Sequence, residues 1–476
     1  MAGIVDTDVV EALRSADAPE QDRILVERSA EVAELMANGF AEAQPELAAK
    51  SGFARWQLWA AAVAGLGGLS AVVVAPTATL LVLTALSTAY SLLHAVIAVA
   101  GMRHVGSTPD RPLADEELPS YTVLVPAYRE AAVIGELVRQ MGALDYPPDR
   151  LEVLVLLERH DPDTLRAVLA ADPPPFVRTV HLPSGPPQTK PRSVNLGLML
   201  ARGELLVIFD AEDRPEPDQL RRVAARFAAR DERLACVQAQ LLFRNAEVNW
   251  LTGQSALEYA LRFTFVLPGM VRLGMPIPLG GTSNHFRTTA LRQLGGWDAW
   301  NVTEDADLGM RCAALGKRVE TIDAVTREEA IGRLGPWMRQ RTRWFKGFLL
   351  TAVVHTRHPH RTAHRFRVSG LLSLLGVVAS APLTSALQPV ASALTLLALA
   401  NDPGSVVPVL AAQALSVASW IGITYASARR AGLAGPWQAV FVPVYSVLWS
   451  VAAWRALHQL AVSPFSWEKT PHGTDA

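Results

Sequence analysis

The densest chemistry in the chain is Asp210-Ala211-Glu212-Asp213, three carboxylates within four residues. Their mutual repulsion is relieved by a divalent cation, and hard oxygen ligands suit Mg2+ or Mn2+. Asp210, Glu212 and Asp213 are therefore candidate metal ligands, and a metal there would bridge to a diphosphate and stabilise a departing nucleotide. An acidic turn leading into the next helix, aided by Pro215 and Pro217, is the plainer alternative. A second group, Asn301-Val302-Thr303-Glu304-Asp305-Ala306-Asp307, puts Asp305 in the first turn of a helix expected over about 305–315, with Thr303 as its cap. The field of a helix N-terminus favours an ionised carboxylate, and such a carboxylate at a pocket edge can take a proton from an attacking hydroxyl. Helix capping alone would explain the same residues. The third group is Gln340-Arg341-Thr342-Arg343-Trp344. In a helix expected over about 336–354, Gln340, Arg343 and Trp344 share a face. Arg343 can pair with a diphosphate, and Trp344 can stack on a sugar ring. A basic amphipathic helix lying on a membrane surface is the alternative, with Trp337, Phe345 and Phe348 as its interfacial part.

These groups need a frame to bring them together. Residues 121–125, 151–157, 177–182 and 205–209 read as short apolar strands, and 131–141, 164–170, 193–201 and 220–230 as helices. The alternation predicts a mostly parallel α/β sheet. Ligands bind at the carboxyl ends of such strands. Three of the strands end in polar clusters: Tyr128-Arg129-Glu130, Glu158-Arg159-His160-Asp161, and the carboxylates at 210–213.

The chain carries 44 Lys+Arg against 45 Asp+Glu, a formal net charge of −1, which argues against nucleic acid as a partner. Two cysteines exclude a disulfide scaffold and a cysteine-rich metal centre. Residues 56–100 contain no charged side chain, enough for two membrane spans with a turn near Pro76. Residues 368–401, 403–428 and 431–454 are also uncharged. The last two read as one span each. The first is one long span or a hairpin broken around 382–389, so the total is five or six. Arg429 and Arg430 in a cytoplasmic loop would favour five. Arg103, Arg111, Arg357, Arg361, Arg365 and Arg367 flank the intervening region and place it in the cytoplasm. The expected organisation is a helical N-terminal segment at 1–55, with short amphipathic helices at 30–36 and 41–50. Two spans follow at 56–102, then a catalytic domain at 103–333 and interface helices at 334–367. Three or four spans occupy 368–458, and a tail closes the chain at 459–476.

Six motifs in order carry a family pattern: Val125-Pro126-Ala127-Tyr128-Arg129-Glu130, Lys190-Pro191-Arg192-Ser193-Val194-Asn195, the 210–213 cluster, Gly280-Gly281-Thr282-Ser283-Asn284, Thr303-Glu304-Asp305, and Gln340 to Trp344. On these the chain resembles the membrane-integrated family 2 glycosyltransferases, the group of cellulose, hyaluronan, curdlan and poly-N-acetylglucosamine synthases. The ending Trp467-Glu468-Lys469-Thr470-Pro471-His472-Gly473 resembles the tail of a bacterial exopolysaccharide-synthase branch, so the likeness covers roughly 56–473. It implies an α/β GT-A-type nucleotide-sugar transferase domain inserted between transmembrane helix blocks, with amphipathic interface helices. The protein would be multi-pass in a bacterial inner membrane. The implied activity is metal-dependent, inverting and processive: a UDP-sugar such as UDP-glucose is polymerised into a β-linked exopolysaccharide and moved across the membrane. The alternatives are single transfer to a membrane lipid carrier, or a degenerate membrane scaffold. The implied partners are the nucleotide sugar, the growing polysaccharide, membrane lipids, and export proteins of the periplasm or outer membrane.

The resemblance also distributes roles. Pro126, Tyr128 and Glu130 would line the nucleobase and ribose pocket, and Asp161 would contact the nucleotide. Lys190 and Asn195 would face the nucleotide or its phosphates. Asp210 and Glu212 would be the metal pair, with Asp213 beside them. Asp305, next to Glu304, would be the general base. Gln340, Arg343 and Trp344 would hold the diphosphate and the acceptor end, and Gly280, Gly281 and Thr282 would border the acceptor sugar. Two positions depart from the pattern: His160 stands where relatives usually have Asp, and Glu212 where cellulose-type synthases have Asp. A terminal Trp-containing segment beside the active site would require an even number of spans, which favours six.

Overall fold

The structure is a computed structural model and describes residues 7–103, 110–404 and 406–468; positions 469–473 of the tail motif lie outside the described residues. Three helices open the chain, α1 (Asp8–Ser15), α2 (Ala18–Glu27) and α3 (Ser29–Ala43). They bury Val9, Val10, Leu13, Val32, Met36 and Phe40 against the catalytic domain. The helix expected over 41–50 does not form. The chain leaves α3 at Gln44, and only a short 3-10 turn, Ala49–Ser51, follows. The two apolar helices α4 (Arg55–Val74) and α5 (Pro76–Met102) come next, with Pro76 at the start of α5, where its missing N–H has no intrahelical role.

Eight strands then form one sheet: β1 (Tyr121–Ala127), β2 (Leu151–Glu158), β3 (Val177–Leu182), β4 (Leu205–Ile208), β5 (Arg214–Pro215), β6 (Leu234–Phe243), β7 (Asn284–Arg287) and β8 (Arg318–Glu328). Their order is β3-β2-β1-β4-β7-β6-β8-β5. The half from β3 to β4 is parallel, as the sequence predicts. The other half is mixed, because β7 runs antiparallel to both β4 and β6, while β8 runs parallel to β6. Period-two alternation sorts the strand residues onto two faces. Val123, Val125, Val153, Val155 and Val207 join the core under α6 (Ile134–Gly142), α7 (Pro162–Ala170) and α9 (Gln219–Ala228). Leu124, Leu154, Leu156, Leu206 and Ile208 join the core shared with α8 (Lys190–Leu200), the N-terminal helices and α10 (Trp250–Ala260).

Helix α10 continues through a π-helical stretch, Leu261–Val266, into α11 (Leu267–Arg272). Here the catalytic domain docks on the membrane hairpin, backbone to backbone. A Cβ on Gly101 of α5 would stand 1.9 Å from the Phe265 carbonyl oxygen, and one on Gly269 of α11 would stand 1.9 Å from the Ile97 carbonyl oxygen. Helix α12 (Glu304–Ala314) follows β7, and α13 (Leu334–Thr356) follows β8.

The last block holds α14 (Val368–Asn401), α15 (Val407–Arg430) and α16 (Val442–Val462). Among the described residues five helices are long and apolar enough to cross a membrane, which gives a multi-pass membrane protein with a soluble catalytic domain. The hairpin considered for 382–389 is not formed. Helix α14 continues through Pro389, with a π-helical turn over Leu374–Ala379, so six such helices are not present among the described residues. Helix α16 lies along α13 for most of its length. The Tyr445 and Trp337 rings are 5.4 Å apart, Trp449 and Phe345 are 6.4 Å apart, and Leu460 packs into the cluster of Leu350 and Val354. Trp337, expected at the membrane surface, is fully buried by this contact.

Candidate active site

A cavity of about 730 Å³ opens where the carboxyl ends of β1, β2 and β4 meet α12 and α13. At one end β1 delivers Pro126, Tyr128 and Glu130 to its wall. The loop is held from behind. Arg129, whose backbone is left-handed (φ 56°), donates its N–H to an Asp161 carboxylate oxygen, and the Glu130 N–H donates to Thr164 Oγ1 at 3.0 Å. Asp161 also accepts the Thr164 hydroxyl at 2.6 Å and caps α7, so it is spent on the loop and does not line the cavity. The carboxylate that β2 does present there is Glu158, three residues earlier. Burial pushes its carboxyl up, and Arg192, 3.5 Å away, pulls it back. His160 is exposed and outside the cavity wall, so its departure from the family pattern does not touch the pocket.

Asn195 is also outside the cavity. Its amide nitrogen donates to the Met36 and Trp297 carbonyls at 3.1 and 2.9 Å, and its oxygen accepts the Trp297 N–H at 2.9 Å. The reason is helical phase: α8 begins at Lys190, and five residues at about 100° each turn Asn195 away from the Lys190 side. Lys190 does line the cavity. Its ammonium donates to Asp210 and, at 2.7 Å, to the Gly281 carbonyl.

Asp210 and Glu212 stand in the cavity wall; Asp213 does not. The Asp213 N–H donates to the Asp210 carbonyl at 3.0 Å, and this tight turn points the Asp213 side chain inward. One of its carboxylate oxygens accepts the Asp210 N–H at 2.8 Å and the Thr282 hydroxyl; the other is buried without a partner. Glu328, at the end of β8, also lines the cavity. Burial and the charges of Asp213, Glu212 and Asp210 push its carboxyl well up. No three metal-ligating side chains among the described residues converge into a closed cage. Two wall carboxylates backed by a third suit a hard cation whose remaining ligands come from a diphosphate or water. Asp210 and Glu212 are the residues that would hold it.

Gly280, Gly281 and Thr282 form the floor, and Glu304 and Asp305 enter from the first turn of α12. Thr303 occupies the N-cap position, but its hydroxyl makes no cap hydrogen bond. It packs instead on Gly347 of α13, where a Cβ would lie 2.2 Å from Thr303 Oγ1. Asp305 accepts the Ala306 N–H at 2.7 Å. Burial pushes both carboxyls up, and the neighbouring Asp305 charge adds to the rise of Glu304, to about 8. The Ala306 N–H, Arg262, Lys190 and Arg343 work in the other direction on Asp305.

From α13, Gln340, Arg343 and Trp344 reach the cavity together, as their shared face predicts. The Arg343 guanidinium lies 4.4 Å from the Trp467 ring centre, and Phe465 and Trp467 of the C-terminal segment join the wall. Lys346 anchors that segment through the Ser466 carbonyl (2.7 Å) and hydroxyl (2.9 Å). Tyr259, Arg262 and Phe263 complete the wall on the side of the membrane hairpin. None of these three stands in a motif. Glu328 was hidden because β8 does not alternate cleanly, whereas Glu158 sat in a strand-end cluster that pointed to the right place.

A mixed α/β sheet with these groups at its carboxyl edge, flanked by long apolar helices, defines a GT-A-like glycosyltransferase domain carried on a membrane block. The chain belongs to glycosyl transferase family group 2, whose pattern matches residues 205–456. It is 28% identical over 264 residues to a probable glycosyltransferase, YdaM, of Bacillus subtilis (54% of this chain, 62% of that protein). It is 31% identical over 233 residues to a beta-monoglucosyldiacylglycerol synthase of Synechocystis (48% of each chain). The chain thus spans about half to three fifths of the length of these relatives. Among solved structures it is similar to a mannosyltransferase of Pyrobaculum calidifontis in complex with GDP-Man and Mn2+. That likeness has a TM-score of 0.52 and 22% identity, covering 79% of this chain and 99% of that one, and speaks for the fold. The matches carry the family; they do not single out the cellulose, hyaluronan or curdlan branch.

Proposed function

We propose that the protein transfers a sugar from a nucleotide donor, a UDP-sugar, to a hydroxyl of a membrane lipid, by a single inverting displacement at the cytoplasmic face of a bacterial inner membrane. The observation that carries this is the convergence of Asp210, Glu212, Asp305 and Arg343 on one cavity whose wall is shared with the helix docked on the membrane hairpin. The name of the Synechocystis relative, a synthase of a glucosylated diacylglycerol, supports a lipid acceptor.

Asp305 takes the proton from the acceptor hydroxyl. The acceptor oxygen forms its bond to the anomeric carbon as the bond to the diphosphate breaks on the opposite face. Arg343 and Lys190 balance the charge left on the departing diphosphate. Mg2+ or Mn2+ held by Asp210 and Glu212 would neutralise the same leaving group, in keeping with the Mn2+ of the Pyrobaculum enzyme. Pro126, Tyr128, Glu130 and Glu158 would receive the nucleoside.

The processive reading has one specific support. Trp344 stacks with Tyr259 (6.1 Å between ring centres, 29° between planes), and flat aromatic faces suit a sugar ring at least as well as a lipid. A growing polysaccharide and export proteins belong to that reading. The test is the purified protein in detergent with radiolabelled UDP-glucose and diacylglycerol. A lipid carrying one sugar supports the lipid reading, and a polymer supports the processive one. A degenerate scaffold would release no nucleotide from any donor.

A further inference from the structure

Arg341 lies inside the Gln340 to Trp344 motif, yet it faces away from the cavity. It is 2% exposed and pairs with Glu258 of α10 at 2.8 Å. Its guanidinium carbon sits 4.0 Å from the centre of the Trp344 ring, and its Nε and one terminal nitrogen have no hydrogen-bond partner. The same Glu258 oxygen that takes Arg341 also accepts the Tyr445 hydroxyl of α16 at 2.9 Å. The Tyr445 oxygen in turn accepts the Trp337 indole N–H at 3.1 Å and lies 3.3 Å from the Ser255 hydroxyl. One buried hub thus joins three helices: Glu258 and Ser255 on α10, Trp337 and Arg341 on α13, and Tyr445 on α16.

A buried ion pair is a weak source of stability, because desolvation offsets most of its attraction. What it does supply is a single geometry. The guanidinium is held by Glu258, and its carbon sits over the indole ring. None of Glu258, Arg341 or Tyr445 lines the cavity, whereas Trp344 does.

We propose that Glu258, Arg341 and Tyr445 are positioning residues that fix the Trp344 ring, so that the acceptor platform is set by α16 as well as by the catalytic domain. The inference rests on Trp344 being the acceptor platform of the proposed reaction. It separates two steps of that reaction. Donor binding and donor hydrolysis by water do not need the platform; transfer to an acceptor does.

The experiment uses the full chain in detergent micelles, with UDP-glucose as donor and either diacylglycerol or a cello-oligosaccharide as acceptor. The variants are Tyr445→Phe, which removes one hydroxyl and keeps the ring, and Arg341→Lys, which keeps the charge and loses the stacking plane. Glu258→Gln and its double variant with Tyr445→Phe complete the set. Each single change is expected to raise the acceptor KM about 10-fold, leaving the donor KM and acceptor-free nucleotide release within about twofold of the parent. The double variant is expected to be no worse than the poorer single one, as for members of one device. Parallel loss of donor and acceptor parameters overturns the proposal, as does an unchanged acceptor KM in Tyr445→Phe and Arg341→Lys proteins of normal thermal stability. A parent protein that releases no nucleotide under either condition instead overturns the transferase reaction itself, and the positioning role falls with it.

Discussion

Asp305 and Arg262 make the sharpest pair for a test of the chemistry. Replacing Asp305 with Asn keeps the shape but removes the proposed base. A positioned general base contributes about 10²–10⁴-fold, so nucleotide transfer by Asp305→Asn is expected to fall by at least about 100-fold, with donor affinity and melting temperature close to the parent. Retention of activity would show that another group takes the proton. Arg262 tests the electrostatics. In the proposed reaction activity needs ionised Asp305, so it is expected to be lost as pH falls through the Asp305 pKa, which burial holds above the usual carboxylate range. Arg262 opposes that rise. Arg262→Gln is therefore expected to move the acid limb of the kcat/KM profile to higher pH and leave activity above it largely unchanged. A limb that stays in place, or moves to lower pH, would separate Arg262 from Asp305.

The helices explain which parts of the site the amino-acid order could reveal. Gln340, Arg343 and Trp344 were legible because a 3.6-residue period puts them on one face, and α13 forms where that period predicts. Asn195 was not, because α8 starts three residues earlier than its apolar run suggests, and the phase from Lys190 carries Asn195 toward α3. Asp161 stands outside the cavity wall for a related reason: Pro162 opens α7, and the residue before it becomes the cap. The strands β6 to β8 escaped because their pairing is mixed, and long-range pairing leaves no local period to read. The α5–α11 crossing is another contact without local signal. Gly101 and Gly269 face carbonyls at distances that no side chain tolerates. Gly269→Leu is expected to force the crossing apart, lower the melting temperature in detergent by several degrees, and weaken transfer to lipid more than acceptor-free nucleotide release. An unaffected melting temperature would show that the two helices do not touch as described. On the opposite face Phe40 is 2% exposed, with the Arg311 guanidinium 4.3 Å from its ring centre. Phe40→Ala is expected to cost about 3–5 kcal/mol of stability, measured by denaturant or thermal unfolding, because it empties the seam between α3 and the catalytic domain.

The arrangement of the whole chain turns on α16. By length and apolarity it qualifies as a span, and three spans after the catalytic domain would leave the C-terminal segment on the far side of the bilayer. Yet segment 463–468 is tied to Lys346 and lines the cavity. Tyr445, near the other end of α16, is tied to Glu258 and Trp337. Both ends of α16 are therefore expected on the catalytic side. Its large exposed apolar residues, Val444, Val447, Val451, Trp454 and Val462, fall on one stripe, as suits a helix lying in the interface with one face toward lipid. Among the described residues four crossings are then expected, α4, α5, α14 and α15, an even number that would return the chain to its starting side. Cys236 and Cys312 are buried, so single cysteines introduced elsewhere can be read against a quiet background. In sealed vesicles, Asp402→Cys, between α14 and α15, is expected to react with an impermeant maleimide from the face opposite the catalytic domain. Ala434→Cys, ahead of α16, and Ala461→Cys, in its last turn, are expected to react from the catalytic face. Labelling of Ala461→Cys from the same side as Asp402→Cys would make α16 a true span and remove Trp467 from the active site.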